Sequence, residues 1–140
     1  TNAIRAGIKT IQEFKEKKVI EHIYSVGNEL IKKVKALILE KQVEEFIEVI
    51  PCAWMPTFIF KNKEGNVCNG HRTYFLQEMI EEKILFQGIV VPSLSFTNIE
   101  VNEFVRGFEK CIKKYKTILS DGYKNHLNGD PTKAVFRKFN

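Results

Sequence analysis

The sequence predicts an α+β domain, in which a small antiparallel sheet of about three or four strands has helices packed on one face. Two observations predict this fold class. Apolar residues recur every three or four positions in residues 1–43 and 101–119, as they do in amphipathic helices. Between these segments lie two runs rich in β-branched and aromatic residues, close together along the chain. With 140 residues, of which 44% are hydrophobic, the chain is long enough for one domain with its own core.

Two helices are expected in residues 1–43. Their apolar stripes comprise Ile4, Ile8, Ile11 and Phe14 in the first helix and Ile23, Val26, Leu30, Val34 and Leu37 in the second. One helix of about 40 residues would be unusual, so we expect a bend or break near residues 17–21. Gly27 lies inside the second stripe, where a glycine costs about 1 kcal/mol relative to alanine, and it indicates close packing.

Strands are expected at residues 46–50 and 57–61, and a turn follows in which Gly65 can adopt a positive φ. Helical spacing resumes after residues 69–71 and ends at Gly88. Residues 89–91 and 94–96 are expected to be short strand fragments bent at Pro92. These fragments would bring the sheet to three or four strands.

The last helix has the clearest start signal, because Thr97 is followed three residues later by Glu100, the spacing of a capping box. Asp121 and Gly122 indicate its end. The residues from Gly129 to Asn140 show no periodicity and are expected to form an extended arm. We therefore divide the chain into a leading helix (1–20), a central domain (21–124) and an extended C-terminal tail (125–140).

The cysteines Cys52, Cys68 and Cys111 are odd in number and follow no disulfide framework, so at least one thiol must be free and we expect a reducing compartment. Cys68 and His71 have Cys-x-x-His spacing, but no second ligand pair follows, and a structural zinc site needs four ligands. We therefore expect no metal site, and interpret Cys68 as a loop residue and His71 as a residue at the start of a helix.

The net charge of +5 comes from the two helical segments, because residues 1–43 and 100–140 each carry nine basic and five acidic side chains. Lysines alternate with glutamates there, as on solvated helix faces, so we expect no nucleic-acid partner. The apolar runs are far shorter than the roughly 20 residues of a membrane helix, and the first residues do not resemble a signal peptide. We expect a cytoplasmic protein that contacts no membrane.

Motifs that would identify a phosphate-binding loop, a nucleophile elbow or a zinc-protease helix are not found in the sequence. Four segments together nevertheless resemble the C-terminal part of class III pyridoxal-phosphate aminotransferases: residues 75–80, 88–93, 97–100 and 129–140. The similarity is to the subgroup that resembles glutamate-1-semialdehyde aminomutase. Residues 1–34 are similar to the family's helix that enters the small domain, and residues 55–60 to its second strand.

The resemblance implies the small C-terminal domain of a homodimeric enzyme of fold type I. In that family a large domain holds pyridoxal phosphate, and the small domain closes over a small-molecule amino substrate. The lysine that forms the imine lies on the large domain, upstream of the segment matched by Thr1, and no lysine here occupies a matching motif. The resemblance therefore implies no catalytic or cofactor-binding residue in these 140 residues and no transamination by them alone.

The resemblance places Trp54, Met55, Ser93 and Ser95 at the substrate mouth. Trp54 lies where relatives have a Gly-Ser-Met-Phe-like stretch, so its indole either narrows the entrance or stacks on a ligand, or else makes a core or interdomain contact. Ser93 and Ser95 either face the mouth or serve as turn formers. Phe96 replaces a histidine of the relatives, so glutamate semialdehyde is not implied as the substrate.

Two further alternatives depend on surfaces. Arg137 and Lys138 either pair with an anion or with the large domain, or lie in a solvated tail.

The function classes that compete with an aminotransferase domain are an autonomous basic α+β binding module without catalysis and a purely structural or dimerising domain. An exposed apolar patch larger than a few hundred Å² would favour the aminotransferase domain. Steep salt dependence of binding would favour the module.

Overall fold

A computed structural model describes residues 2–133 of the chain. Within this range four α-helices and one two-stranded sheet are present, and the elements in chain order are α1 (Asn2–Glu16), α2 (Val19–Glu40), β1 (Ile47–Ile50), β2 (Thr57–Phe60), α3 (Asn69–Glu81), α4 (Asn98–Asp121) and a short 3₁₀ helix (Lys124–His126). The predicted α+β class is confirmed.

The joint between α1 and α2 lies where the sequence predicts it. Lys18 adopts a left-handed conformation with φ of 48°, which interrupts the helical path between Glu16 and Val19. The two helices differ in burial, because α1 buries none of its residues whereas α2 buries an apolar stripe that includes Leu30 and Val34. The body of the domain therefore begins with α2.

The sheet has one buried and one open face. β1 and β2 run antiparallel, with Ile47 opposite Phe60 and Ile50 opposite Thr57. Side chains alternate across a pleated strand, so Ile47 and Phe60 are buried under the helices while Ile50 is exposed on the other side. Helices thus cover one face, as predicted.

The predicted number of strands is wrong, because the sheet has two strands and not three or four. The fragment at residues 89–91 makes a single bridge, from Ile89 to Thr57. Gly88 has a φ of 83° and Pro92 has no N–H to donate, so a ladder cannot extend on either side of this bridge. The fragment at residues 94–96 forms a turn, in which the Phe96 N–H donates to the Ser93 carbonyl at 3.0 Å.

Aromatic rings from the sheet and the helices form the centre of the core. The Phe75 and Phe108 rings lie 4.7 Å apart between α3 and α4, and the Phe58 and Phe86 rings lie 5.1 Å apart beside them. Edge-to-face and offset ring pairs at such separations contribute about 0.5–1.5 kcal/mol beyond the burial of their area. The ring of Phe60 in β2 also lies 4.8 Å from that of Phe75, and the ring of Phe58 lies 5.3 Å from that of Phe108, so these contacts hold α3 and α4 on the sheet.

The capping box that the sequence predicts at the start of α4 is confirmed. The Thr97 hydroxyl accepts from the Ile99 N–H at 3.2 Å, and the Glu100 carboxylate accepts from the Thr97 N–H at 2.6 Å. The Thr97 hydroxyl also donates to the Glu100 carboxylate at 2.6 Å, and the hydrogen bonds from the hydroxyl and then the N–H of Thr97 lower the pKa of Glu100. The start of α4 is therefore fixed directly after the segment that carries Ser93 and Ser95.

The chain after α4 turns back along α3. The Gln77 side chain donates to the His126 carbonyl at 3.0 Å and accepts from the Asn128 N–H at 2.9 Å. Residues 127–133 have no regular secondary structure. Residues 134–140, which include Arg137 and Lys138, lie outside the described range.

Candidate functional site

Trp54 and Met55 lie in the connection between β1 and β2. The Met55 N–H donates to the Cys52 carbonyl at 2.9 Å, and the Thr57 hydroxyl donates to the Met55 carbonyl at 3.1 Å, which closes a tight turn. The Trp54 side chain is 50% exposed, so it does not belong to the core. This exposure excludes the core alternative for Trp54 and leaves a narrowed entrance, ligand stacking or an interdomain contact.

The base of this turn is fixed by α2. Ala53 is buried, and its backbone packs directly against Gly27 of α2. Gly27 therefore permits the close packing that the sequence indicates. Because Ala53 is held in place, the neighbouring indole of Trp54 projects from a rigid support.

Ser93 and Ser95 lie in the loop before α4, and both are exposed. Their hydroxyl oxygens are 3.0 Å apart, within hydrogen-bonding distance. The loop is tied to α2, because the His22 ring nitrogen Nε2 lies 2.9 Å from the Phe96 carbonyl oxygen. Both serines thus serve as turn residues, and their side chains are accessible.

The two segments that carry these four candidates are neighbours at one end of the sheet. The Val90 N–H donates to the Pro56 carbonyl at 3.0 Å, beside the bridge between Thr57 and Ile89. Within residues 2–133 no hydrogen bond joins the side chains of Trp54 or Met55 to those of Ser93 or Ser95. The structure therefore brings the two segments together through backbone contacts.

A groove of about 640 Å³ lies between α1, the start of α2 and the loop before α4. Its lining residues are Ala6, Lys9, Thr10, Glu13, Phe14, Val19, Ile23, Pro92, Ser93 and Leu94. Of the four mouth candidates, Ser93 alone is among them. On one rim Glu13 pairs with Lys17 and with Lys9, and hydrogen bonds from these two lysines lower the pKa of Glu13. The walls of the groove are otherwise mainly apolar.

Helix α1 also presents an apolar stripe outside this groove. Ile4, Ile8 and Ile11 are 68%, 53% and 59% exposed, and none of them lines the groove. Isolated helices of about 12–15 residues are marginal in water, and most helix stability in proteins comes from packing of the apolar face. The sequence predicts the stripe but not its exposure, because periodicity shows which residues share a face and not what covers that face.

A second cleft, of about 530 Å³, lies at the opposite end of the hairpin from Trp54. Cys68 and His71 both line this cleft. Cys68 immediately precedes α3, and His71 is buried in the first turn of α3. The His71 nitrogen Nδ1 lies 3.0 Å from both the Lys61 carbonyl oxygen and the Tyr115 hydroxyl. Burial lowers the pKa of His71, so the ring is neutral at pH 7 and serves as a packing and hydrogen-bonding group.

Among the described residues no group of three or more histidine, cysteine, aspartate or glutamate side chains is placed to hold a metal ion. None of the helices in this part of the chain is long and apolar enough to cross a membrane. Many lysines form ion pairs with glutamates, namely Lys9, Lys17, Lys33, Lys41, Lys61, Lys110, Lys113 and Lys114.

Comparisons of this chain with protein-family models, with curated proteins and with solved structures find no match.

Proposed function

We propose that this chain is the C-terminal small domain of a pyridoxal-phosphate-dependent aminotransferase or aminomutase. It forms the lid and the substrate-mouth surface for amino-group transfer, and a preceding large domain supplies the lysine and the cofactor pocket. In this proposal the complete enzyme is a cytoplasmic homodimer that acts on a small-molecule amino substrate. Trp54, Met55, Ser93 and Ser95 lie at its mouth.

The exposed stripe of α1 is the observation that carries the proposal. A helix with an apolar face and no buried residue gains its stability from contact with another body. The family resemblance assigns this helix to the entry into the small domain, where it would contact the large domain. The contact is intramolecular in that arrangement, so a narrow stripe such as Ile4, Ile8 and Ile11 suffices to hold it.

The exposure of the mouth candidates supports the same proposal. A lid presents accessible side chains on a rigid frame, because the substrate must be reached while the frame keeps its shape. Trp54, Ser93 and Ser95 are exposed, and the backbones beside them are fixed by Gly27 and His22.

The described part of the chain does not fit pyridoxal phosphate by itself. Bound to its enzyme, the cofactor acts as the electron sink for carbanion chemistry, and it needs a lysine in a protected pocket. The lysines that line the two concavities, Lys9, Lys63 and Lys124, are all exposed. The proposal therefore assigns the cofactor to the large domain.

The decisive experiment uses the natural polypeptide that contains this sequence, recovered from its source with an antibody raised against the purified 140-residue chain. We expect a mass well above that of 140 residues, a visible imine absorption band, and a lysine trapped by borohydride in a peptide outside residues 1–140. A natural polypeptide without a reducible imine would overturn the proposal, as would a trapped lysine inside these residues.

A second experiment tests the covered face with a matched control. Ile8→Lys and Ile11→Lys add charge to the stripe, and Ile80→Lys adds the same charge to an exposed position of α3. In the 140-residue chain all three variants should keep the melting temperature, because substitutions of exposed residues change stability by about 0.5 kcal/mol or less. In the natural polypeptide only the α1 variants should lower the melting temperature and the transaminase rate; equal effects of Ile80→Lys would refute the covered face.

The alternative function is an autonomous basic binding or interaction module without catalysis, which the same exposed stripe would also serve. The ion pairs of the lysines argue against it, because paired lysines form a weaker positive surface. It predicts a binding constant that falls steeply with salt concentration, whereas the aminotransferase proposal predicts no such partner.

A further inference from the structure

The segment at residues 128–132, here called the strap, lies along α3 in the reverse direction. Gln77 holds one end of it through the Asn128 N–H. One helical turn earlier on α3, the Thr73 hydroxyl oxygen accepts from the Thr132 N–H at 2.8 Å. Two residues on one face of α3 thus fasten the strap at both ends.

Arg72 joins the end of the strap to another segment of the chain. Its Nη2 donates to the Gln87 carbonyl oxygen at 2.6 Å, and its Nη1 donates to the Thr132 hydroxyl oxygen at 3.3 Å. A guanidinium group holds its donors in a rigid planar fork, so one side chain can orient two partners at once. Arg72 therefore bridges segments that are 45 residues apart, since Gln87 precedes Thr132 by that number.

The proton positions agree with this bridge. The Thr73 hydroxyl donates to the Asn69 carbonyl at 2.7 Å, so its oxygen is left to accept hydrogen bonds. The Thr132 hydroxyl, 3.0 Å away, then donates to Thr73 and accepts from Arg72. Every donor in this chain of hydrogen bonds has one acceptor, which fixes the side chains relative to one another.

The partner segment is adapted to the guanidinium group. Gly88 has a φ of 83°, and a Cβ built on it would lie 3.1 Å from the Arg72 Nε atom. On its other side the Gly88 carbonyl accepts from the Phe58 N–H of β2 at 2.8 Å. Gln87 and Gly88 are thus held between Arg72 and the sheet, and Gly88 lies five residues before Ser93.

We infer that Arg72 is a positioning residue, which couples the strap to residues 88–95 and so sets the place of Ser93 and Ser95. The part of this inference that concerns the substrate mouth rests on the proposed function. The coupling itself does not. The substrate mouth is thereby fastened both to β2 and to the C-terminal segment.

Hydrogen exchange of the 140-residue chain, measured by mass spectrometry, tests the coupling. Thr73→Val keeps the size of the side chain and removes the anchor of Thr132, and Arg72→Ala removes the bridge. Arg106→Ala, at an exposed position of α4, is the matched control. We expect Thr73→Val to speed exchange about tenfold in the strap and also in residues 88–92, because a lost hydrogen bond to a charged network has this effect.

The double variant separates coupling from independent loosening. At residues 88–92, Thr73→Val combined with Arg72→Ala should exchange no faster than Arg72→Ala alone, because both changes break the same connection. Exchange that rises in the strap while residues 88–92 stay as in the control overturns the inference. Exchange at residues 88–92 that is equally fast in Arg72→Ala and in Arg106→Ala overturns the inference as well.

In the natural polypeptide, Arg72→Lys keeps the positive charge on one donor nitrogen but loses the planar guanidinium group, whose two nitrogens donate to different partners. We expect it to raise KM for the amino substrate several-fold, with a smaller change in kcat, because positioning of the mouth affects binding first. Coupled exchange with an unchanged KM would overturn the role of residues 88–95 in the mouth, and with it the proposed function, while it would support the coupling by Arg72.

Discussion

Gly27 of α2 and Ala53 of the β1–β2 turn pack so closely that any side chain at position 27 would overlap the Ala53 carbonyl oxygen. A Cβ there would also lie 3.1 Å from the Ala53 Cα. Backbone of a turn gives way less readily than the end of a flexible side chain, so this contact determines how near Trp54 can lie to α2.

Gly27→Ala should therefore destabilise the protein, although alanine is the better helix former. Overpacking of this kind costs about 1–3 kcal/mol, which exceeds the gain of about 1 kcal/mol from helix propensity. Thermal unfolding measures the loss, and a shift in Trp54 fluorescence reports the displaced turn. Gly7→Ala is the matched control, because a Cβ at Gly7 meets nothing within 4 Å. An equal gain in stability from both substitutions would contradict the close contact.

Thr97→Ala should destabilise α4 by about 1 kcal/mol, because it removes the hydroxyl that caps the helix. The pKa of Glu100 is lower in the folded state than in the unfolded state. The stabilisation that ionised Glu100 provides is therefore fully present above its unfolded-state pKa and is lost as pH falls through its folded-state pKa. The difference in melting temperature between the protein and Thr97→Ala should thus shrink below about pH 4. Thr117→Ala, at an exposed site in the same helix, is the control. A difference that is independent of pH would contradict the role of Glu100.

Acid should destabilise the protein through His71. Burial lowers the pKa of His71 below its unfolded value of about 6.5, so the folded state binds fewer protons and stability falls as pH decreases through about 6.5 towards the lower folded-state pKa. His71→Asn keeps an N–H near the Lys61 carbonyl and should reduce this pH dependence. His126→Asn is the control, since His126 is only partly buried. Urea unfolding at several pH values measures the effect; the same slope in His71→Asn as in the unsubstituted protein would contradict it.

Cys111 should resist thiol reagents in the folded protein. Burial, with a smaller contribution from Glu78, raises its pKa to about 12, so almost no thiolate is present at pH 8. Cys52 and Cys68 are only partly buried and should react with maleimide first. Mass spectrometry of peptides after labelling distinguishes the three thiols, and labelling in denaturant provides the control. Native labelling of Cys111 at the rate of Cys52 would show that the core around α4 opens.

The sequence predicts the features that depend on neighbouring residues. The capping box of Thr97 and Glu100 follows from their spacing, and the break near residues 17–21 follows from the unusual length of a single helix; both are present. The prediction of a third strand is wrong, because Gly88 and Pro92 limit this fragment to a single bridge between Ile89 and Thr57.

The contacts that the sequence does not predict join distant residues. Arg72 and Thr73 meet Thr132 across about 60 positions, and no periodicity identifies such a pair. The four mouth candidates follow from the family resemblance and not from spacing. The structure brings their segments to one end of the sheet because Pro56 and Val90 share a hydrogen bond.

The conformation of Lys18 has a consequence for the direction of α1. A left-handed residue other than glycine costs about 1–2 kcal/mol, so this joint is held against its local preference. One inserted residue before Lys18 would turn Ile4, Ile8 and Ile11 by about 100° around the axis of α1, since a helix has 3.6 residues per turn. The length of this joint therefore determines the direction in which the exposed isoleucines of α1 face.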